Sequence, residues 1–259
     1  MHRLVFHLSE DRKESVLDAI LPLLPAGVHD QGERLVAFSG APFDRAVLDA
    51  LDDWALDEVP ADWKLRQMGE GVVIGERVCI RSPWDLEPPE GVIDVVVERR
   101  GSAFGSGSHP TTQMCVSLLL ELSPAGGAAD LGCGVGTLAI VAAKLGWAPV
   151  VGVDRVPVAI EVARENIARN GVPVEVDVAD LAVDAVPLAP LMLVNAPPPV
   201  HERLGAALRE SSSDVRHVIA SGIVAEEVEG VVRGYQSVGF EVAQALGTED
   251  EWIALRLSC

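Results

Sequence analysis

A glycine-rich stretch, Asp130-Leu-Gly-Cys-Gly-Val-Gly136, is the feature that most restricts how this chain can fold. Residues 126–130 lead into it and end as a short buried strand, and the alanine-rich residues 137–144 that follow it have the composition of a buried helix. Gly146 lies where a glycine commonly ends a helix. Residues 149–154 then predict a second strand that ends on a carboxylate. This order of strand, glycine loop, helix and strand predicts one βαβ unit.

The glycine loop and Asp154, which follows Gly136 by 18 positions, predict a site for a cofactor that carries a nucleoside. Glycines let the backbone approach a ligand, and a carboxylate at a strand tip can accept hydrogen bonds from ribose hydroxyls. The dinucleotide fingerprint is G-x-G-x-x-G, whereas Gly132, Gly134 and Gly136 form G-x-G-x-G. That spacing resembles the nucleotide loop of S-adenosylmethionine (SAM) methyltransferases, and Asp130 is suited to pair with the ammonium group of SAM. A purely structural glycine-rich turn is the alternative, and Asp154 weighs against it.

The composition limits the class of protein. With 259 residues, of which 49% are hydrophobic, the chain can bury the core of one large domain and a small partner domain. No apolar run reaches the ~18–20 residues that span a membrane, and the N-terminus lacks the pattern of a signal peptide. The four cysteines have no metal-ligand spacing. We therefore expect reduced thiols, no metal site and a cytoplasmic protein.

The formal net charge of −19 bears on the partner. An acidic surface repels phosphate groups and gains nothing from the release of counterions, so we expect no direct binding of nucleic acid. The same charge suits a basic protein substrate, although general solubility or an acidic proteome explains it equally well. We expect no membrane partner and a monomer.

The chain divides into two unequal parts. We predict a small α+β domain for substrate recognition at residues 1–62, a linker with several prolines and a strand-like stretch at 63–90, and a larger domain at 91–259. The fold class is α/β, because strands and helices alternate along the larger part. It is a doubly wound, Rossmann-like sheet of the SAM-methyltransferase type, with seven strands and an antiparallel last pair.

The small part is predicted to be ferredoxin-like. Residues 2–7 and 32–39 predict strands, and residues 13–21 and 43–55 predict amphipathic helices, which gives the order β-α-β-α. In the larger part, strands are predicted near residues 92–98, 126–130, 149–153, 173–177, 190–195, 215–220, 239–245 and 251–257, and helices near 110–122, 136–145, 156–169, 200–209 and 223–237.

A second motif, Ala103-Phe-Gly-Ser-Gly-Ser-His-Pro-Thr-Thr112, precedes the glycine loop. Its glycines and serines indicate a flexible loop, and Pro110 suits the first turn of a helix that the serine or histidine before it would cap. The N–H groups of this helix start, with the hydroxyls of Thr111 and Thr112, are suited to hold the carboxylate of the cofactor. Phe104 is suited to cover its apolar face. A surface loop followed by a helix cap is the alternative.

This motif is similar to the Ala-Phe-Gly-Thr-Gly-Thr-His-x-Thr-Thr signature of the bacterial PrmA methyltransferases. The resemblance spans about residues 80–257 and includes Asp130–Ile140, Gly152–Asp154, Glu165–Gly171, Val194–Asn195, Ser221–Ile223 and Glu251–Ile253. PrmA enzymes use SAM to methylate amino groups of the large-subunit ribosomal protein L11. The resemblance thus implies a SAM-dependent methyltransferase that acts on a lysine side chain or N-terminus of a ribosomal protein. In the family a ferredoxin-like N-terminal domain captures that protein; here this part matches in size and pattern more than in residues.

The resemblance also implies the site residues. It places the family's cofactor contacts on Thr112, Gly132, Asp154 and Asn195, with Phe104, Asp130 and Gly134 as their neighbours. Asp180 follows the third strand, where many SAM enzymes hold the adenine amine, and a helix cap or an exposed loop acid is the equal alternative. Asn195 ends the fourth strand, at the edge of the sheet where ligands bind. It is the candidate catalytic residue, because its carbonyl can accept a hydrogen bond from an amine and orient the amine toward the methyl group.

The chain departs from PrmA directly after Asn195, where Ala-Pro-Pro-Pro-Val200 replaces an Ile or Leu followed by small residues. Three prolines form a stiff wall that lacks N–H donors. The loop is similar to the Asn-Pro-Pro-aromatic loop of amino-group methyltransferases, but it is offset by one residue and lacks the aromatic side chain. Two alternatives stay open: a methyltransferase that acts on a small molecule or another protein, and a SAM-binding module without catalysis. His109 and His201 are the nearest candidates for a general base, and a structural or exposed role is expected for each.

Overall fold

The computed structural model describes residues 2–7, 16–17, 28–30, 35–39, 42–49, 51, 53–58, 71–98, 107, 109–211, 214–248 and 251–259. By its internal contacts the chain divides into two units, Met1–Met68 and Gly69–Cys259. From Gly69 onward, the predicted linker at 63–90 is therefore part of the second folded unit.

The first unit contains a four-stranded antiparallel sheet with the order β2-β3-β1-β4. Its elements are β1 (His2–His7), β2 (Val28–Asp30), β3 (Leu35–Ser39), helix α1 (Arg45–Asp49) and β4 (Asp53–Glu58). Leu4 and Phe6 alternate along β1 and are fully buried in a core with Val16 and Val47. With residues 16–17 helical between β1 and β2, the order is that of the ferredoxin-like fold, as predicted.

One prediction in this unit was wrong in detail, and one strand was not predicted. The helix predicted at 43–55 ends at Asp49, and residues 53–55 belong to β4, whose Leu56 pairs with Leu4 of β1. β2 had not been predicted. The residues 13–21 predicted as a helix lie outside the described residues except for 16–17, which are helical. Whether such short segments form strands or helices is decided by their pairing with β1 and β3 rather than by their own periodicity.

The second unit begins with a three-stranded sheet in the order β5-β6-β7. It consists of β5 (Val72–Ile74), β6 (Val78–Arg81) and β7 (Ile93–Val96). The Arg81 guanidinium, only 9% exposed, spans both carboxylate oxygens of Asp94 at 2.8 Å and so ties β6 to β7. The strand predicted at 92–98 thus lies in this sheet and not in the large one.

The large sheet has seven strands in the order β10-β9-β8-β11-β12-β14-β13. The first five are parallel and β14 is antiparallel to both of its neighbours, so the predicted doubly wound sheet is confirmed. The elements are β8 (Ala128–Leu131), β9 (Val150–Asp154), β10 (Val174–Val178), β11 (Leu191–Asn195), β12 (His217–Val224), β13 (Glu241–Gly247) and β14 (Trp252–Ser258), with helices α2 (Pro110–Leu119), α3 (Thr137–Leu145), α4 (Pro157–Asn170), α5 (Pro198–Glu210) and α6 (Ala225–Gln236).

One helical layer covers each face of this sheet. Leu191 and Leu193 of β11 pack in the core beneath α2, α3 and α4, whereas Met192 and Val194 pack in the core beneath α5 and α6. A strand covered on both faces reads as a continuous apolar run, which explains why β11 is recognisable in the sequence. No helix in the described part of the chain is long and apolar enough to cross a membrane.

The order of the strands determines where on the sheet a ligand is expected to bind. From β8 the chain proceeds through α3, β9 and α4 to β10 on one side, and β11, α5 and β12 follow on the other side of β8. The switch point therefore lies between β8 and β11, and ligands of open α/β sheets bind at the carboxyl ends of the strands there.

Candidate active site

A cavity lies at the carboxyl ends of β8 and β11, with about 270 Å³ of empty space including the part open to solvent. Eight residues line it. Five of them were predicted as ligand contacts or their neighbours: Thr112, Asp130, Gly132, Gly134 and Asn195. The other three are Cys133 of the glycine loop and, at the start of α3, Thr137 and Leu138. The structure thus brings the two sequence motifs and Asn195 to one place.

The glycine loop between β8 and α3 bends sharply. Gly132, Gly134 and Gly136 have φ angles of 74°, 54° and 84°, a region that disfavours side chains. The N–H groups of Gly132 and Cys133 both donate to the Val153 carbonyl, at 2.8 and 3.0 Å, which anchors the start of the loop to β9. The loop therefore presents backbone rather than side chains to the cavity.

Asp154 ends β9 and holds the middle of the loop. Its Oδ2 accepts a hydrogen bond from the Gly134 N–H at 2.9 Å, and its Oδ1 accepts one from the Val156 N–H at 2.9 Å. Each carboxylate oxygen has more than one acceptor site, so both remain able to accept a further hydroxyl group. The arrangement suits recognition of a diol next to the glycine loop.

Asp130, near the end of β8, lines the cavity and is only 1% exposed. Burial raises the pKa of its carboxyl group to about 7, and the nearby charge of Asp154 adds to the rise, while the hydrogen bond from the Ala139 N–H at 3.1 Å opposes it. A cation that enters the cavity would stabilise the ionised form of this carboxyl group.

Asn195 ends β11 opposite the two threonines of α2. Its Nδ2 donates to Thr111 Oγ1 at 3.2 Å and lies 3.5 Å from Thr112 Oγ1, and both threonines are 1% exposed. Its Oδ1 is buried and has no hydrogen-bond partner among the described residues. An unpartnered buried acceptor is unfavourable in the free protein, so this oxygen is positioned for a donor that a ligand supplies.

The prolines after Asn195 form the start of α5. Pro197 is the N-cap residue, and Pro198 and Pro199 begin the helix, two residues earlier than predicted. The Val200 N–H donates to the Pro197 carbonyl at 3.0 Å. The N–H groups that a helix normally presents at its first turn are therefore absent or already used.

The backbone next to Asn195 is held by β12. The Ala196 N–H donates to the Ser221 carbonyl at 3.0 Å. Gly222 has a φ of 78°, and a Cβ there would lie 2.6 Å from the Ala196 nitrogen. Only glycine permits this approach of β12 to the loop.

His201 fixes the same loop from the other side. It is 3% exposed, with Nε2 at 2.9 Å from the Ala196 carbonyl and 3.1 Å from the Ser221 carbonyl, and Nδ1 at 3.0 Å from the Tyr235 hydroxyl. Because carbonyls only accept, Nε2 carries the proton and Nδ1 accepts from Tyr235. Burial lowers the pKa of His201, which keeps the ring neutral. This histidine therefore has a structural role, and Tyr235, 34 residues away, had no signal in the sequence.

His109 is the N-cap of α2; the sequence had left this role open between Ser108 and His109. Its Nδ1 accepts the Thr111 N–H at 3.3 Å and lies 2.8 Å from Thr111 Oγ1. The edge of its ring meets Trp252, with 5.3 Å between the ring centroids. These contacts orient the start of α2 beside Asn195.

Four predicted contacts are not among the residues that line the cavity: Asp154 and Thr111, whose hydrogen bonds are described above, and Asp180 and Phe104. Asp180 is exposed, and its carboxylate accepts the Ala182 N–H at 3.0 Å, an arrangement typical of a loop acid. Phe104 lies outside the described residues. No group of three or more His, Cys, Asp or Glu side chains in the described ranges is arranged to hold a metal ion.

The family model and the related sequences of known proteins agree on one family. The PrmA model, described as ribosomal protein L11 methyltransferase, matches residues 56–258. The ribosomal protein L11 methyltransferase of Geobacter metallireducens is 38% identical over 205 residues, which cover 79% of this chain and 65% of that protein. The corresponding protein of Thermotoga neapolitana is 35% identical over 201 residues, covering 71% of this chain and 76% of that protein.

The fold is shared with a solved structure, a ribosomal protein L11 methylase from Lactobacillus delbrueckii subsp. bulgaricus. It matches with a TM-score of 0.62 and 23% identity, over 73% of this chain and 97% of that one. With the family model spanning most of its length, this chain belongs to the PrmA family of ribosomal protein L11 methyltransferases.

Proposed function

We propose that this protein is a SAM-dependent methyltransferase that transfers a methyl group to an amino group of a protein, namely ribosomal protein L11. Membership of the PrmA family supports the reaction class, and the names of the relatives support the substrate. The single observation that carries the proposal is the buried Oδ1 of Asn195, which has no hydrogen-bond partner among the residues that the structure describes and lies in a cavity lined by the glycine loop.

The residues around the cavity fit the cofactor. In this proposal Asp154 accepts the ribose hydroxyls, the backbone of Gly132 and Gly134 lies against the nucleoside, and Asp130 pairs with the ammonium group. Thr111 and Thr112, at the start of α2, face the carboxylate. When bound, SAM supplies a methyl group on a sulfonium ion, which is already activated for transfer. Phe104 and Asp180 remain predictions as contacts of the apolar face and the adenine amine.

Asn195 receives the acceptor in this proposal. Its Oδ1 accepts an N–H from the substrate amine and so directs the nitrogen lone pair, while the hydrogen bonds from its Nδ2 to the threonines keep the side chain in place. The proline wall offers no N–H donors, so the loop favours a group that donates hydrogen bonds over one that accepts them.

The substrate nitrogen must be neutral when it attacks. A lysine with an ordinary pKa of ~10.4 has to lose a proton first. A cavity that excludes water disfavours the charged amine and so assists this loss. His201 does not act as the base, because both of its ring nitrogens are engaged in the fold. The net charge of −19 supports a basic protein as the substrate, and association would weaken as salt is added.

The proposal is tested by incubating the protein with SAM labelled in its methyl group and with ribosomes that lack this methylation. The expected result is label on L11, identified by mass spectrometry, and loss of that label with the Asn195→Ala variant. Label on another protein, or on a metabolite from a cell extract, would favour the same chemistry on a different acceptor, as the changed loop after Asn195 allows. No transfer to any acceptor, with SAM bound, would contradict the proposal and indicate a non-catalytic module.

A further inference from the structure

Asn166, on the inner face of α4, is fully buried at 0% exposure. Its Nδ2 donates to the carbonyls of Glu98 and Val135, both at 3.0 Å. Its Oδ1 accepts from the Glu98 N–H at 2.9 Å and from the Arg169 guanidinium at 2.7 Å. Two donors and two acceptor positions are used, so this amide is completely satisfied and its orientation is determined by its partners.

The partners of Asn166 connect two parts of the second unit. Val135 lies inside the glycine loop, between Gly134 and Gly136, and its side chain packs against Ala159 and Val162 of α4. Glu98 follows β7, and in the sequence it lies five residues before the Ala103–Thr112 motif. One side chain therefore joins the backbone of the glycine loop to the backbone that leads into the second cofactor motif.

A partly exposed ion pair supports the connection that Asn166 makes. The Glu98 carboxylate pairs with the Arg169 guanidinium at 2.9 Å, and both side chains are about one third exposed. The same arginine donates to Asn166 Oδ1 through its other nitrogen. The Oδ1 of Asn166 is thus fully occupied by Arg169 and the Glu98 N–H, and its Nδ2 is fully occupied by the two carbonyls.

Asn170, one turn further along α4, provides a natural comparison. Its Oδ1 accepts from the Val96 N–H at 3.0 Å, and its Nδ2 donates to the Val96 carbonyl at 2.7 Å and to the Asn166 carbonyl at 2.8 Å. Asn170 therefore ties α4 to β7 in the same manner as Asn166, but none of these hydrogen bonds reaches the glycine loop.

We propose that Asn166 is a positioning residue for the cofactor: it fixes the glycine loop in the shape that receives SAM. This inference rests on the proposed function. The loop consists largely of glycines with few side chains to restrain it, and its middle depends on the Gly134–Asp154 hydrogen bond and on the Val135 carbonyl. Without Asn166, the binding of SAM would also have to order the glycine loop, which the native protein already holds in place. This ordering would weaken the affinity for SAM.

The test compares Asn166→Ala with Asn170→Ala in the full-length protein. Calorimetry measures the Kd for SAM, and thermal unfolding without ligand measures the damage to the fold. Both variants are expected to lower the melting temperature. Asn166→Ala is expected to raise the Kd for SAM by about tenfold or more, and Asn170→Ala by less than about threefold. If Asn166→Ala does not fold, Asn166→Ser is measured in the same way, since its hydroxyl can retain one bond.

The outcomes separate this inference from the proposed function. Equal SAM affinity in the Asn166 and Asn170 variants, with the wild type binding normally, would overturn the positioning role alone. A wild type that binds SAM but methylates no amine would overturn the proposed function and leave the positioning role intact. A wild type that does not bind SAM would contradict both.

Discussion

Replacement of Asp130 by asparagine is expected to stabilise the free protein at high pH while weakening its binding of SAM. Asp130 is 1% exposed, and its pKa is raised to about 7 from an ordinary value of 3.8 because burial disfavours the charge. Asparagine has almost the same shape and can still accept the hydrogen bond from Ala139, but it cannot ionise. The Asp130→Asn variant thus removes the charge at this position but keeps the hydrogen bond from the Ala139 N–H.

The magnitude follows from the two pKa values. Between pH 3.8 and about 7 the folded protein binds more protons at this site than the unfolded chain, so stability falls as the pH rises through this window. Relative to low pH, the raised pKa of Asp130 lowers the stability of the fold by roughly 4 kcal/mol at pH 8.5, where the buried carboxyl group is ionised, and by roughly 2 kcal/mol at pH 5.5, where folding must protonate it. The new N–H groups of asparagine impose a penalty of about 1–3 kcal/mol that does not depend on pH.

The difference between the two pH values is therefore the informative quantity. Urea unfolding of the wild type and of Asp130→Asn, without cofactor, should show that the variant gains about 2 kcal/mol more, relative to the wild type, at pH 8.5 than at pH 5.5. A difference between the two proteins that is the same at both pH values would refute the argument, because Asp130 would then have no raised pKa in the folded state.

Three further predictions concern the same site. If Asp130 pairs with the ammonium group of SAM as proposed, it must be ionised to do so, and the affinity of the wild type for SAM should fall as the pH drops below about 7, by up to about tenfold per pH unit; a flat calorimetric profile would contradict this. His201→Phe should lower the free energy of unfolding by about 2–4 kcal/mol, because it removes the hydrogen bonds of Nε2 to the Ala196 and Ser221 carbonyls and leaves the buried Tyr235 hydroxyl without its acceptor, whereas Tyr235→Phe should lower it by about 1 kcal/mol; equal losses in urea unfolding would contradict these hydrogen-bond assignments. Gly222→Ala should cost more than about 3 kcal/mol, because its Cβ would meet the Ala196 backbone, whereas Gly171→Ala, with a φ of 63° and open space around it, should cost about 1 kcal/mol; similar losses would show that the close approach does not matter.

The parts of the fold that the sequence predicted are those with local signals. A glycine loop between a strand and a helix, Pro110 at a helix start and an apolar run such as β11 each carry their information within about ten residues. Asn195 was predicted from the resemblance to PrmA, and its place at the end of an apolar strand supported that prediction, because strand ends of parallel sheets meet at one edge.

The parts that the sequence did not predict depend on partners that are distant along the chain. Residues 53–55 have a helix-compatible pattern, and only their pairing with β1 makes them a strand. The bonds of Asn166 to Glu98 and of His201 to Tyr235 join residues 68 and 34 positions apart, which no periodicity reveals. The orientation of the Asn195 amide likewise depends on Thr111 and Thr112, which lie 84 and 83 positions before it in the sequence and contact its Nδ2.

The measurement that tests the central claim most directly separates the rate of methyl transfer from the binding of SAM in Asn195→Ala. If Asn195 Oδ1 receives the acceptor amine, single-turnover transfer to ribosomal protein L11 should fall by about 100-fold or more. The Kd for SAM should change much less, because the glycine loop, Asp130 and Asp154 are untouched. Transfer at the wild-type rate would contradict the account, and so would a loss of transfer that is explained entirely by weaker binding of SAM.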